Sequence, residues 1–450
     1  MRCRIIPTKD LTEGRGMDPQ TYAIRFGFGL PAPDPAVALT GPDLAAQVWA
    51  GVALTEIAPV LAAYRTARKA KDEAGTKAAH RASDALALRG AKAILARAIG
   101  TSDPYRERLV AFWADHFTVT ARSRMDRALP SILIDEAIRP HVTGRFAAML
   151  RAVITHPVML TYLNQDASYG PSSPRGKRLN KGLNENLARE LLELHTLGVG
   201  AGYEQADVRE LAKLLTGLSV TADGFAFDRK RSEPGPETVL GVTYRGKGPT
   251  PILQALDDLA AHPETARHIA GKLAVHFVAD APDPALSAAL AAVFQDTGGD
   301  LGAVGQALLA HPKADGAWEK ARQPFDFMAA AFRSLGVTPQ QVLDLPPKVF
   351  HRLILAPLAA MGQPFQQAPG PDGWPEAAAD WITPPGLAAR IDWAMQAPQR
   401  LQRPLPDPRA FVATALGPRA GERLIWAVAA AESARDGVGL VLASPEFNRR

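Results

Sequence analysis

The chain has 450 residues, of which 47% are hydrophobic and 22% are charged, a composition that supports a sizeable buried core and excludes general disorder. Its formal net charge of +5 is small for this length, so an anionic partner is compatible with the sequence but not required by it. The single cysteine, Cys3, excludes an intrachain disulfide and a cysteine-only metal site.

The first segment, 1–16, is charged and lacks the apolar stretch of a secretory signal. It is expected to be a disordered extension ahead of the first periodic segment, which begins near Met17. No apolar run reaches the roughly 18 residues that a membrane-spanning helix needs. We therefore expect a cytoplasmic protein, with delivery to the periplasm by a partner as the alternative.

Long helices rich in Ala and Leu are predicted over 43–99, where apolar residues recur at helical spacing. Gly75 is expected to divide this stretch into the two arms of a helical hairpin. Shorter helices are predicted over 104–117 and 129–156. A polar, basic loop over 166–181 then precedes the next helix, and loops of this length are often functional.

Two further helices are predicted after that loop, over 184–198 and 203–217. The pattern then changes, because apolar and polar residues alternate over 218–248 in two short runs. A Pro-Gly-Pro turn at 234–236 separates the runs, so the pattern predicts one small β-hairpin. Helical periodicity resumes after Pro249 and continues to the end of the chain.

The sequence therefore predicts a mainly α protein, a large helical array or bundle with a small inserted β-hairpin. The predicted divisions are an extension over 1–16, an N-terminal helical half over 17–217, the hairpin insertion over 218–248 and a C-terminal helical half over 249–450.

The segment 184–199 reads Asn-Glu-Asn-Leu-Ala-Arg-Glu-Leu-Leu-Glu-Leu-His-Thr-Leu-Gly-Val and carries the most information. At helical spacing its leucines form one apolar stripe, and His195 falls in the middle of that stripe. Arg189 and Glu193 lie on the opposite face, and Glu190 lies beside them. A second candidate histidine, His116, comes directly before a phenylalanine near the end of an earlier helix.

Two interpretations of His195 remain open. One is a core histidine hydrogen-bonded near a helix C-terminus, which its place on the packing face favours. The other is a general base or a metal ligand. Arg189, Glu190 and Glu193 are either a solvated helix face or part of a site beside the long polar loop. The candidate catalytic cluster is therefore His116, Arg189, Glu190, Glu193 and His195, with no assignable cofactor and no predicted metal site.

These segments resemble a bacterial family known as domain of unknown function 1800, and the resemblance extends over nearly the whole chain. It includes segment 184–199 together with Phe112, Trp113, His116, Phe117, Leu240, Gly241, Lys272, Pro324, Gly373, Trp374 and the closing Ser444-Pro445-Glu446-Phe447. The chain departs from the family pattern where members commonly carry two histidines and a lysine, because it has Ala114, Ser232 and Glu237 there. These departures weaken any scheme in which those side chains bind a metal or an anion.

The resemblance names no reaction. Members of the family often lie beside genes for a sulfatase-like secreted family, domain of unknown function 1501. This implies a helical partner or assembly factor for a sulfatase-like cell-envelope protein as the expected function. The alternative is an enzyme that acts on an envelope polymer or peptide through the Arg, Glu and His cluster.

Other familiar chemistry is missing from the sequence. No phosphate-binding Gly-rich loop and no Gly-x-Ser-x-Gly motif occurs. Basic residues gather near 65–71, 175–181 and 229–231, but they lack interleaved aromatic residues and a helix-turn-helix signature. Nucleic-acid binding is therefore the least favoured function.

Overall fold

The computed structural model describes residues 17–31, 38–221 and 224–450. Helices dominate these ranges, which confirms the predicted mainly α fold. The prediction for 1–16, including Cys3, lies outside the described residues. No helix in the three described ranges combines the length and the apolarity needed to cross a membrane.

The helices before the strands alternate with short 3₁₀ and π-helical turns. The α-helices are Pro19–Thr21, Leu44–Val48, Leu54–Ala70, Glu73–Gly100, Pro104–His116, Leu129–Leu133, Phe146–Ile154, Pro157–Tyr162, Pro174–Leu179, Asn186–Glu190 and Gln205–Leu214. The π-helical turns are Tyr22–Phe26, Ile134–Ile138 and Leu191–His195, and the 3₁₀ turns are Arg124–Asp126, Arg139–His141 and Gln165–Ala167.

The helices after the strands are also mostly short. They are Thr250–Ala261, Pro263–Phe277, Pro284–Asp296, Leu301–Ala310, Pro324–Ser334, Pro339–Asp344, Pro347–Phe350, Ala356–Ala360, Ala378–Trp381, Pro384–Gln396, Pro398–Leu401, Pro408–Leu416, Glu422–Ala429, Ala434–Ala443 and Pro445–Asn448. A π-helical turn lies at His351–Leu355, and 3₁₀ turns lie at Pro312–Ala314 and Gly417–Arg419. Proline at the first helical position recurs because its fixed φ suits a helix start.

The predicted helical hairpin is present, formed by Leu54–Ala70 packed against Glu73–Gly100. The turn lies before Gly75, at Lys71, which adopts a left-handed conformation with φ 58°. The Asp72 carboxylate then accepts a hydrogen bond from Gly75 N at 2.9 Å and so caps the second helix. Gly75 is therefore a first-turn residue of the second arm.

The strands form two hairpins where the sequence predicted one. Strand β1 (Leu218–Thr221) pairs with β2 (Gly224–Phe227), and β3 (Glu237–Val239) pairs with β4 (Val242–Tyr244), both antiparallel. The turn between β3 and β4 consists of Leu240 and Gly241, with φ of 51° and 78°. Two positive φ values form the tight turn that matches strand twist, so this run folds back on itself.

In the described ranges, two large hydrophobic clusters and a small one of Ala23, Ile24 and Leu30 fill the interior. The first includes Trp113, Leu191 and Leu273, and the second includes Phe327 and Trp393. Helix Glu73–Gly100 packs into the second cluster, although most of that cluster comes from residues after 326. The two clusters therefore do not correspond to two consecutive halves of the chain. Full burial of one such side chain is worth about 1.5–3 kcal/mol, so both clusters stabilise the array.

A buried ion pair joins elements of the two clusters. Asp326, on helix Pro324–Ser334, accepts a hydrogen bond from Arg108, on helix Pro104–His116. The Arg450 guanidinium lies 3.7 Å from the same carboxylate. All three side chains are less than one-tenth exposed, and the two arginines lower the pKa of Asp326 against the opposing effect of burial.

We expect Asp326→Ala to lower the free energy of unfolding by about 3–5 kcal/mol, because it leaves two buried guanidinium groups without their counter-ion. Denaturant unfolding followed by circular dichroism measures this change. Asp257→Ala is the matched control, because Asp257 pairs with Arg151 where both side chains are more than one-third exposed. Its expected effect is about 0–1 kcal/mol, and equal effects of the two substitutions would contradict the prediction.

Candidate functional site

One face of helix Pro263–Phe277 carries one lysine and two histidines. His268, Lys272 and His276 share this face because they are spaced four residues apart. This face packs towards helix Pro104–His116, the π-helical turn Leu191–His195 and the loop 370–376. The four segments together form what we call the central cleft. It is the candidate functional site.

Lys272 is the electrostatic centre of the cleft. Burial lowers the pKa of its ammonium, while the neighbouring carboxylates of Asp115, Glu376 and Asp372 act in the opposite direction. Within the described part of the chain, no carboxylate lies within 4 Å of the ammonium, so these charges act on Lys272 without a direct ion pair.

Asp115 is the most perturbed carboxyl of the cleft. Burial raises the pKa of Asp115 to about 7, against the opposing effects of the Trp374 N–H group and Lys272. The side chain also lies one residue before the end of helix Pro104–His116, where the helix dipole disfavours negative charge. A carboxyl with this pKa is populated in both protonation states near neutral pH.

The loop 370–376 holds Asp115 in place. Trp374 N donates a hydrogen bond of 2.8 Å to the Asp115 carboxylate. Gly373 has φ 90°, and a Cβ atom at this position would lie 2.6 Å from both Asp115 oxygens. Only glycine therefore allows the loop to approach this carboxyl so closely. The Trp374 ring packs near Trp381, with ring centroids 5.9 Å apart.

His276 connects the cleft to the buried ion pair. Its Nδ1 donates to Glu376 at 2.5 Å, and its Nε2 accepts from Arg108 Nη2 at 3.1 Å, so the ring is neutral. Burial lowers the pKa of His276 to about 4. Glu376 also pairs with the buried Lys320, whose ammonium lies 3.1 Å away. A continuous chain of hydrogen bonds and ion pairs thus runs from Asp326 through Arg108, the neutral His276 ring and Glu376 to Lys320.

His116 and His195, two of the residues predicted from the sequence, lie together in the interior. His116 Nε2 donates to the His195 carbonyl at 3.2 Å, and His268 Nε2 donates to the Leu194 carbonyl at 3.1 Å. Both carbonyls lie at the end of a π-helical turn, where they lack intrahelical partners. Burial and then Lys272 lower the pKa of His116, and the same causes lower the pKa of His195 to about 3.

Arg189, Glu190 and Glu193 lie on the partly exposed side of the same helical segment. Arg189 pairs with Glu193 at 3.2 Å and with Glu185 at 3.5 Å. Burial raises the pKa of Glu190, and the nearby Glu193 and Asp372 carboxylates raise it further. The charge of Asp372, in the loop 370–376, therefore acts on both Glu190 and Lys272.

An apolar cavity of about 150 Å³ adjoins the cleft at Asp115. Its apolar walls include Leu133, Ile138 and Phe325, and its polar residues include Asp115, Arg108, His276 and Gln366. A cavity of this volume accommodates a ring the size of benzene. The five residues predicted from the sequence are not among its lining residues in the described ranges.

The site thus has residues that the sequence interpretation did not select, above all Asp115, Lys272 and Glu376. One signal was available, since His268, Lys272 and His276 repeat at four-residue spacing on an amphipathic helix. Asp115 gave no signal, because a carboxyl next to a histidine is ordinary on a helix. Its surroundings come from a loop more than 250 residues later.

In the three described ranges, no group of three or more His, Cys, Asp and Glu side chains is arranged to hold a metal ion. The chemistry that the described residues can perform is proton transfer, with a carboxyl of near-neutral pKa and an adjacent ammonium.

Comparison with known proteins identifies the family. The family model described as "Protein of unknown function (DUF1800)" matches residues 22–449, and the chain therefore belongs to this family. No curated protein and no solved structure gives a significant match.

We expect Lys272→Met to raise the pKa of Asp115 above 7. Lys272 stabilises the ionised carboxylate, so its removal favours the protonated acid. Carboxyl ¹³C NMR of aspartate-labelled protein, titrated from pH 4 to 9, measures the change. Lys69→Met, which removes an exposed ammonium on a distant helix, serves as the control. An unchanged or lower Asp115 pKa in the Lys272 variant contradicts this account.

Proposed function

We propose that this member of the DUF1800 family is an enzyme that moves a proton to and from a small, largely apolar substrate. Asp115 is the group that carries the proton. One observation carries the proposal: a single carboxyl both lines the apolar cavity and has a pKa near 7. General acid–base catalysis is most effective when the catalytic pKa lies near the working pH.

The cavity supports a substrate with an apolar body. Most of its wall is hydrocarbon, and Arg108, Asp115 and His276 are among the polar residues that line it. A low-dielectric environment strengthens each electrostatic interaction with a bound molecule. The volume suits a free small molecule or one apolar side chain of a peptide.

Lys272 acts in this proposal as a positioning residue. It is not among the lining residues of the cavity in the described chain, but its charge opposes the effect of burial on Asp115. Without it, the pKa of Asp115 would be higher, so a smaller fraction of the carboxyl would be ionised and able to accept a proton at neutral pH. Lys272 thus keeps both protonation states accessible.

The residues predicted from the sequence support the site from outside the cavity. His116 donates to a carbonyl of the π-helical turn and fixes that segment against helix Pro104–His116. His195 packs against Phe117, with ring centroids 5.0 Å apart. Arg189, Glu190 and Glu193 border the exposed side of the cleft near Asp372.

We expect Asp115→Asn to lower kcat/KM by roughly 10²–10⁴-fold, the usual contribution of one general acid or base. Turnover of small ketones, esters and amides by the purified chain, assayed from pH 5 to 9, measures this. Asp392→Asn, an exposed aspartate on helix Pro384–Gln396, is the control and retains the wild-type rate. Turnover that survives Asp115→Asn, or that shows no ionisation near pH 7, contradicts the proposal.

A second candidate is a docking partner for a sulfatase-like envelope protein, and an exposed apolar surface favours it. Trp426 is 73% exposed and Ile425 is 49% exposed, both on helix Glu422–Ala429. Ile391 and Leu440, on neighbouring helices that pack together, are 48% and 38% exposed. Exposed aromatic residues of this kind are frequent in protein interfaces.

For this candidate, we expect Trp426→Ala to remove at least about 90% of the sulfatase-like protein captured by the tagged chain from its host, since buried tryptophans dominate interface energetics. Quantitative mass spectrometry of the eluate measures the capture. Val199→Ala, which truncates a 78% exposed residue elsewhere, controls for loss of surface area alone. Equal capture by the two variants contradicts the docking role.

A further inference from the structure

Gln366 has an unused hydrogen-bond donor at the cavity. Its side-chain oxygen accepts from Ser131 Oγ at 3.0 Å. Its Nε2 atom is buried and has no hydrogen-bond partner among the described residues. A buried amide N–H without a partner is destabilising, so such a group favours a ligand that accepts from it.

Arg108 has a second unused donor on the same cavity wall. Its Nη1 group donates to Asp326 and its Nη2 group donates to His276. The remaining Nε–H is buried and lacks a partner within the described ranges. The Arg108 side chain is 1% exposed, so solvent does not satisfy this donor.

Apart from the carboxyls of Asp115 and Asp326, the side-chain amide and imidazole acceptors on this wall are already used. Gln363 Oε1 accepts from Phe325 N at 2.8 Å, and Gln323 Oε1 accepts from Gln363 Nε2 at 2.9 Å. His276 Nε2 accepts from Arg108. The polar wall therefore has donors to offer, and the complementary group on a ligand is an acceptor oxygen.

We infer that the cavity binds a small, uncharged carbonyl compound whose apolar body fills the hydrocarbon wall and whose oxygen accepts from the Gln366 amide. A carboxylate fits less well, because Asp115 lines the same cavity and becomes negative above pH 7. A hydrocarbon fits less well because it leaves the donors unpaired.

The catalytic consequence rests on the proposed function. The Asp115 carboxylate takes a proton from the carbon next to the carbonyl. The C–H bond breaks and an O–H bond forms on Asp115. The C–H electron pair forms a C=C bond, and the π pair of the C=O bond moves onto the carbonyl oxygen to give an enolate. Gln366 donates to that oxygen as its charge develops. Return of the proton from Asp115 restores the carbonyl compound, so the balance requires no further reactant.

Ligand-observed NMR with cyclohexanone and methylenecyclohexane tests the inference, because the two rings differ only in C=O against C=CH₂. We expect the full-length chain to bind cyclohexanone at least about 10-fold more tightly, as one hydrogen bond to a buried donor implies. Gln366→Leu removes this preference. Gln367→Leu, at the exposed neighbouring position outside the cavity lining, retains it.

Gln366→Glu keeps the shape of the side chain and replaces the donor with an acceptor. It provides a second test of the inference if the leucine variant does not fold. It is expected to lose the preference for cyclohexanone and to bind cyclohexylamine instead. Equal binding of cyclohexanone and methylenecyclohexane by the wild-type chain overturns the inference. A preference that survives both Gln366 substitutions also overturns it.

The two proposals fail separately. Asp115→Ala retains the binding preference for cyclohexanone, since it removes the carboxyl without adding a hydrogen-bond donor and leaves Gln366 in place. Deuterium exchange of cyclohexanone α-protons in D₂O then reports on Asp115. Binding without exchange supports the ligand class and counts against proton transfer. The chain could instead turn over a different substrate and bind cyclohexanone and methylenecyclohexane equally well. That result would contradict the inferred ligand class and leave the proposed proton transfer intact.

Discussion

The buried contact of Asp326 with Arg108 and Arg450 is the constraint on which the rest of the structure depends. Taking one carboxylate and two guanidinium groups out of water is costly, and only close pairing offsets that cost. The pairing fixes helix Pro324–Ser334 against helix Pro104–His116, and so brings elements of the two hydrophobic clusters together. The cavity lies where these elements meet, because its wall includes Arg108, Phe325 and Asp326.

The same constraint determines the electrostatics of the cleft. Arg108 is committed to Asp326 and His276, so it offers little compensation to Asp115. Glu376 is committed to His276 and Lys320, and those partners lower the pKa of Glu376 well below its usual range although burial opposes them. Two neighbouring carboxyls therefore behave in opposite ways. Glu376 stays ionised as part of the network. Among the described residues, the Trp374 N–H group and the charge of Lys272 favour the ionised form of Asp115, but burial dominates its pKa.

The helical character of the chain and much of segment 184–199 follow from the sequence, because periodicity and capping are local properties. Glu204 and Asp207, for example, cap the helix that was predicted over 203–217, with Asp207 accepting from Glu204 N at 2.9 Å. The strand pairing did not follow, because the choice between one hairpin and two depended on positive φ at Leu240. The acid–base character of Asp115 was also not predictable. It arises from a loop hundreds of residues away, and single-sequence patterns contain no information on such contacts.

Because the three histidines around Lys272 are neutral, Lys272 is the cation of this group that lowers the pKa of Asp115. Each of His116, His195 and His268 has a pKa lowered chiefly by burial, so none adds positive charge near neutral pH. Charged imidazoles would repel Lys272 and would also stabilise the Asp115 carboxylate, moving its pKa away from 7. Two of the rings instead donate to carbonyls at the end of the π-helical turn, an interaction that a neutral ring makes without a charge. The histidines of segment 184–199 and of helix Pro104–His116 thus shape the reactivity of a carboxyl by remaining uncharged themselves.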